Sequence, residues 1–138
     1  MTDAPEPMDR PLVLIVDDEE SMRKVLEKRV GSWGYRVRSV QDGEEALRVA
    51  AQARPAAVLL DVMMPGLDGL ETCRRLKAAA GTRAIPVILV TAKDSKQFPE
   101  NAQACGAEAW LHKPYDASAL QALLARLLPE SGPQGETA

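Results

Sequence analysis

The sequence predicts an α/β fold, a doubly wound parallel sheet of five strands with five helices. Apolar runs of about five residues recur without polar alternation, which is typical of strands covered on both faces. Between these runs lie segments with apolar residues at helical spacing. Alternating strands and helices favour parallel strands joined by right-handed crossovers.

The first three elements follow from hydrophobic spacing. Leu12 to Val16 is a purely apolar strand. Ser21 opens a helix that stops at Gly34, a residue type common after helices. The apolar residues expected along that helix are Met22, Val25, Leu26, Val30 and Trp33. Tyr35 to Val40 alternates in polarity, which predicts a half-exposed edge strand.

Two Asp residues mark the next helix starts. Asp42, with Glu45 three residues on, resembles a capping box and predicts a helix from Gly43 to Ala53. A buried strand from Ala56 to Leu60 follows and ends on Asp61, before a turn at Pro65-Gly66. Asp68 and Glu71 repeat the same signal for a third helix that reaches about Ala80.

The last third of the chain repeats this alternation. The fourth strand is Val87 to Val90, ending on Thr91. A fourth helix is expected between Lys96 and Cys105, terminated by Gly106; Pro99, which cannot sit in a helix interior, predicts a late start and a short helix. Ala109 to His112 is the fifth strand. Asp116 is expected to cap a last helix whose Leu120, Leu123, Leu124 and Leu127 share one face.

Composition narrows the class of protein. The 138 residues carry a net charge of −3, which disfavours bulk attraction to nucleic acid or an anionic membrane. No apolar stretch is long enough to span a bilayer. We expect a flexible leader at 1–10, one domain at 11–128 and a flexible tail at 129–138. Cys73 and Cys105 are expected to be reduced and buried, as in a cytoplasmic protein.

Polar residues directly follow four of the predicted strands, at the edge where open α/β sheets bind ligands. They are Asp17, Asp18, Asp61, Thr91 and Lys113. Clustered carboxylates need a cation, and an all-oxygen set suits Mg²⁺, for which Mn²⁺ could substitute. Lys113 supplies a positive charge and Thr91 a hydroxyl donor. The set predicts phosphoryl transfer onto Asp61; the alternative is a group of unrelated, solvated strand ends.

The chain resembles a response-regulator receiver domain of two-component signalling, with flavodoxin-like topology, from about Leu12 to Leu128. The matching motifs are Val-Asp-Asp at 16–18, Leu-Asp-Val-Met-Met-Pro-Gly-Leu-Asp-Gly at 60–69, Val-Thr-Ala at 90–92 and Lys-Pro at 113–114. Each motif alone is weak. Their order and spacing together are specific.

The resemblance assigns a role to each motif residue. It implies that Asp61 is the phosphoacceptor and binds the metal directly together with Asp18. The backbone carbonyl of Met63 would be a further ligand, and Asp17 would act through water. Thr91 would move to contact the phosphoryl group, and Lys113 would pair with it. The family also implies a cis bond between Lys113 and Pro114.

The chain departs from the family pattern at one aromatic position. Trp110 stands where the family usually has Tyr or Phe, three residues before the Lys. We expect Trp110 to be a switch residue or a contact for a partner; the alternative is a fixed aromatic.

Several neighbours of the site carry weaker expectations. Met63 and Lys93 would flank the site entrance and tune the lifetime of the phosphoryl group, although an exposed Lys is commonly only solvated. A loosely ordered segment is expected from Asp94 to Phe98, with Phe98 either an exposed anchor or packed into the core. His112 is expected to be structural.

The predicted function is a phosphorylation-controlled switch, not an enzyme beyond its own phosphotransfer and slow dephosphorylation. Expected partners are a histidine kinase or histidine phosphotransfer protein, and a target that binds the face of the fourth helix, fifth strand and fifth helix. We expect a monomer or weak homodimer, with no direct nucleic-acid or membrane contact. The chain is predicted to be a stand-alone regulator, a relay intermediate or a receiver cut from a longer protein.

Three other functions fit the sequence less well. A phosphorylation-independent interaction module on the same fold is the main alternative, but such relatives typically lose an acid, the Thr or the Lys. A phosphatase of the haloacid-dehalogenase type would need Asp-x-Asp after the first strand, where this chain has Asp17-Asp18-Glu19-Glu20. Dinucleotide binding lacks its Gly-x-Gly-x-x-Gly motif.

Overall fold

The computed structural model describes residues 10–91 and 103–128. Its sheet has five parallel strands in the order β2-β1-β3-β4-β5. The strands are β1 Leu12–Val16, β2 Arg36–Val40, β3 Ala57–Asp61, β4 Val87–Thr91 and β5 Ala109–His112. The predicted fold class is therefore confirmed, and β2 lies at the edge of the sheet as its alternating sequence indicates.

Helices connect these strands. They are α1 Glu20–Ser32, α2 Gly43–Ala53, α3 Gly69–Ala78, α4, which is helical at 103–105, and α5 Ala117–Leu127. The residue that follows α4 is Gly106, which has a φ of +92° and is accordingly suited to end a helix. The helix positions agree with the prediction, and only some ends differ.

Two predicted helix ends differ from the structure by one or two residues, and one predicted cap lacks its hydrogen bond. The helix expected to open at Ser21 begins one residue earlier, at Glu20. The helix expected to reach about Ala80 ends at Ala78, because Ala79 is already extended with ψ 135°. Asp116 stands at the N-cap of α5, but its side chain accepts no capping hydrogen bond. The residue type of Asp116 therefore predicted where the helix begins, although its side chain forms no capping hydrogen bond.

The two faces of the sheet carry separate cores. Alternate strand residues such as Leu14 and Leu60 pack with α2 and α3, together with Cys105. Their neighbours Ile15 and Leu59 pack with α1 and α5. This alternation follows from the period of two in a strand, and it buries every residue of β3 and β4.

Both cysteines are buried and form no disulfide, as predicted. The Cys73 thiol donates a hydrogen bond to the backbone carbonyl of Cys105 at 3.4 Å. Its hydrogen bond with Cys105 and its burial raise the pKa of Cys73, so this thiol is a packing group.

Several expectations lie outside the described residues. They concern Lys93, the segment from Asp94 to Phe98, the helix start at Pro99, and the leader and tail at 1–9 and 129–138. Within residues 10–91 and 103–128, no helix has the length and apolar character needed to cross a membrane.

Candidate phosphoacceptor site

The polar residues that follow the strands meet at one edge of the sheet. Val16 is in register with Leu60, so Asp17 and Asp61 end neighbouring strands at the same level. Asp61 is in turn level with Val90, and Thr91 with His112. The parallel register thus brings together side chains that lie far apart in the sequence.

Three carboxylates form the centre of this edge. Asp17, Asp18 and Asp61 each offer an oxygen, and these oxygens lie within 4.8 Å of one another. Asp17 is 3% exposed and Asp61 7%, whereas Asp18 is open to solvent. A cluster of oxygen donors with one solvent-facing member fits a hydrated hard cation such as Mg²⁺.

Lys113 places its ammonium beside two of these acids. Its Nζ lies 3.7 Å from Asp61 Oδ1 and 3.9 Å from Asp17 Oδ2. Its backbone N–H donates to the carbonyl of Thr91 at 2.7 Å, which extends the pairing of β4 and β5 beyond the strand end. The Lys113–Pro114 bond is cis, as the resemblance implied.

Asp61 holds its proton unusually tightly. Burial raises its pKa, Lys113 opposes that rise, the charges of Asp17 and Asp18 add to it, and a hydrogen bond from the Met63 backbone lowers it. The net result is a pKa of about 6 instead of 3.8. Burial is the largest of these causes, so a carboxylate at this position is costly to ionise.

The comparisons with known proteins agree with this geometry. Residues 13–125 match the family described as the response regulator receiver domain. The chain belongs to this family. Receiver domains are signalling domains of two-component response regulators rather than enzymes in the usual sense.

The curated relatives are longer than the matched region. The chain is 42% identical over 125 residues to Response regulator MprA of Mycobacterium sp. strain KMS, covering 88% of this chain and 54% of that protein. The MprA of Mycolicibacterium vanbaalenii is 42% identical over 130 residues, covering 91% and 55%. The chain thus spans about half the length of these relatives.

Solved structures show the same fold. Chemotaxis protein CheY4 of Vibrio cholerae has a TM-score of 0.81 at 32% identity, covering 86% of this chain and 99% of that one. The receiver domain of the sensor histidine kinase PA1611 from Pseudomonas aeruginosa has a TM-score of 0.80 at 34% identity, covering 88% and 99%. The PA1611 structure is described as having a magnesium ion coordinated in its active site cleft.

The remaining predicted receiver residues occupy different environments. Thr91 is 2% exposed at the end of β4. Met63, whose backbone hydrogen-bonds to Asp61, is 52% exposed. Trp110 is half-buried and packs against the core under α2 and α3. Glu19 and Glu20 stay outside the acid cluster among the described residues.

One glycine allows α3 to approach the phosphoacceptor strand. The N–H of Gly69 donates to the carbonyl of Val62 at 3.0 Å. A Cβ at Gly69 would lie 2.4 Å from the Asp61 carbonyl oxygen and 2.6 Å from the Val62 Cα, both closer than real contacts. The helix start next to the site therefore requires glycine, a requirement that the turn-like sequence around it did not reveal.

A groove beside the receiver site was not predicted. It encloses about 510 Å³ between α1 and the segment after β5, and Asp17, Asp61 and Lys113 line one end. Val25, one of the apolar positions at helical spacing in α1, is 48% exposed and lines this groove. Helical spacing identifies the apolar positions of α1, but it does not show how far the neighbouring element lies from each of them.

Sequence reasoning also missed the contacts that hold the loop after β1. Asp17 Oδ1 accepts from the Glu19 backbone N–H at 2.9 Å. The Asp17 carbonyl accepts from Arg23 Nη1 at 2.8 Å. An Arg six residues after an Asp carries no recognised local signal; only the observed path of the loop shows the contact.

Proposed function

We propose that this receiver domain is a switch controlled by phosphorylation of Asp61. The observation that supports the proposal is the convergence of Asp17, Asp18 and Asp61 with the Lys113 ammonium at one sheet edge. A lone carboxylate at a strand end would lack both the acid neighbours and the cation. The family membership adds the expectation that Asp61 is the phosphoacceptor.

In the proposed reaction, an Asp61 oxygen attacks the phosphorus of a phosphohistidine on a histidine kinase or phosphotransfer protein. A P–O bond forms as the P–N bond breaks, and the donor imidazole leaves with the electron pair and takes up a proton. Lys113 stabilises the negative charge on the oxygens of the transferred phosphoryl group. Its ammonium already lies within 4 Å of Asp17 and Asp61, so it is close to the position that the group takes up. Thr91 donates its hydroxyl to a phosphoryl oxygen.

The acids of the site would hold Mg²⁺. Asp18 and Asp61 are the proposed direct ligands with the Met63 backbone carbonyl, and Asp17 acts through water. The bound ion supplies neutralising charge on the phosphoryl oxygens. The donor set fits, because the three clustered acids all offer oxygens, and these oxygens lie within 4.8 Å of one another. We expect Mn²⁺ to substitute, since it also accepts oxygen ligands.

The output of the switch is a change in a partner-binding face. We propose that this face comprises α4, β5 and α5, and that Trp110 on β5 responds when Thr91 contacts the phosphoryl group. Support comes from position: Thr91 and Lys113 join β4 to the end of β5, the strand that carries Trp110. The domain would return to its resting state by slow hydrolysis. Its two buried cysteines, which form no disulfide, favour a cytoplasmic setting.

The test is intact-protein mass after incubation with acetyl phosphate and Mg²⁺. We expect a gain of about 80 Da, the mass of one phosphoryl group, lost on treatment with hydroxylamine, which cleaves acyl phosphates. Asp61→Asn should show no adduct. Asp68→Asn is the matched control: Asp68 is an acid beyond the same strand that caps α3, so its variant should still be labelled.

Two results would contradict the proposal. One is an adduct that persists in Asp61→Asn, which would place the acceptor elsewhere. The other is an unlabelled wild type that also fails to bind Mg²⁺ and stays unlabelled by phosphorylated histidine kinases. That result would favour a phosphorylation-independent interaction module on the receiver fold.

A further inference from the structure

Three hydrogen bonds hold Asp17 in place after β1. Its backbone N–H donates to the Val40 carbonyl at 3.2 Å, which continues the pairing of β1 with β2. Its side-chain Oδ1 accepts from the Glu19 N–H at 2.9 Å, and its carbonyl accepts from Arg23 Nη1 at 2.8 Å. The Asp17 backbone and one of its carboxylate oxygens are thus tied to β2 and to the start of α1.

The Arg23 contact spans the loop that carries both acids. Arg23 lies in the first turn of α1, where its backbone N–H donates to the Glu19 carbonyl at 3.0 Å. Its guanidinium reaches back across Asp18 to the end of β1 and closes the loop into a ring of hydrogen bonds. A hydrogen bond from a charged donor is stronger than a neutral one, so this contact restrains the loop effectively.

We propose that Arg23 is a positioning residue that fixes the loop after β1 so that Asp17 and Asp18 are aligned to bind Mg²⁺. The inference rests on the proposed function. Arg23 acts through the Asp17 backbone and touches neither the acid oxygens nor the phosphoryl group. Contacts that orient metal ligands commonly influence metal affinity by about an order of magnitude or more.

The charge of Arg23 taken alone predicts the opposite change in Mg²⁺ affinity. The direction of the measured change therefore tests the proposal. A cation near a metal site repels Mg²⁺, so removing the charge of Arg23 should tighten binding if Arg23 acts only as a charge. If Arg23 aligns the acids, its removal frees the loop and binding weakens, because Mg²⁺ must then order the ligands itself.

The experiment is calorimetric titration of Mg²⁺ at constant ionic strength into the wild type, Arg23→Met, Arg23→Lys and Lys24→Met. Lys24 is the matched control, an exposed neighbour on the same helix turn that pairs with Glu20 at 3.5 Å. We expect the Kd of Arg23→Met to rise about ten-fold. Arg23→Lys should lie between it and the wild type, and Lys24→Met should bind as tightly as the wild type or slightly tighter.

Each outcome decides the matter. A Kd for Arg23→Met equal to or below the wild-type value overturns the positioning role. Thermal unfolding in EDTA checks that the variants fold; if Arg23→Met does not, Arg23→Lys decides, and a wild-type Kd there overturns the proposal. A wild type that binds no Mg²⁺ would instead contradict the proposed function, so the two failures are distinguishable.

Discussion

At the scale of a single residue, the proposed function of Asp61 conflicts with the stability of the domain. Asp61 is 7% exposed and lies beside two other carboxylates, with one ammonium 3.7 Å away. Burial is the largest cause of its raised pKa, about 6 instead of 3.8. Ionising such a carboxylate costs free energy in the folded state. Its free energy therefore changes strongly when a metal ion or a phosphoryl group alters the charge around it.

Asp61→Asn should therefore stabilise the metal-free protein near neutral pH. Because the folded pKa is raised, the contribution of Asp61 to stability is full below pH 3.8 and is lost as the pH rises through about 6. With part of the charge screened by water, the gain in the variant is on the order of 1–2 kcal/mol, or roughly 3–8 °C in Tm. Thermal unfolding in EDTA from pH 4 to pH 8 measures it.

The pH dependence serves as the internal control. The two proteins should have similar Tm values near pH 4, and the difference should open between pH 4 and about pH 6.5 as Asp61 ionises. A constant difference across this range, or a variant less stable than the wild type at pH 8, would show that packing rather than charge dominates at this position.

At the scale of an element, the helix starts show how far the type of a residue predicts local structure. Asp42 and Asp68 were both expected to cap helices, and their Oδ1 atoms accept from the backbone N–H of Glu45 and Glu71 at 2.8 and 2.9 Å. Asp116 occupies the same kind of position before α5 without that bond. Sequence locates a helix start, whereas the rotamer depends on the neighbours that the fold supplies.

This contrast predicts unequal effects of the same substitution. Asp68→Ala should lower the free energy of unfolding by about 1 kcal/mol, because an N–H of the first turn of α3 loses its acceptor. Asp116→Ala should cost no more than about 0.5 kcal/mol, through the helix dipole alone. Urea unfolding of both variants compares them directly. Equal losses would mean that the Asp116 side chain caps α5 in solution.

At the scale of the whole molecule, the acid cluster joins β1 to β3, and the register of the strands holds it in place. Binding a metal ion there should stabilise the whole sheet, because the three acids assemble only in the folded chain. Ligand binding to the native state alone raises the free energy of unfolding in proportion to the logarithm of ligand concentration.

Mg²⁺ at ten times its Kd should accordingly add about 1.4 kcal/mol to the stability of the wild type. Asp61→Asn, which lacks a proposed ligand, should gain little. The measurement is Tm against Mg²⁺ concentration, with NaCl used to hold ionic strength constant as the control. A similar rise in both proteins would indicate binding outside the cluster.

Hydrophobic spacing and strand-end residues alone determined the fold class, β1 and β5 to the residue, the positions of the described helices and the meeting of Asp17, Asp18, Asp61 and Lys113 at one edge of the sheet. These features are local or follow from parallel topology, since apolar runs must be covered and the carboxyl ends of parallel strands share one edge. Sequence motifs likewise sufficed for the family.

Only the tertiary structure decided the exposure and the contacts of several individual residues. Val25 is half exposed, Gly69 is required by the Asp61 carbonyl 2.4 Å from its would-be Cβ, and Arg23 reaches back to Asp17. Each depends on the distance between elements far apart or on the path of a loop. Periodicity and residue type carry no information about that distance, because packing of the whole chain sets it.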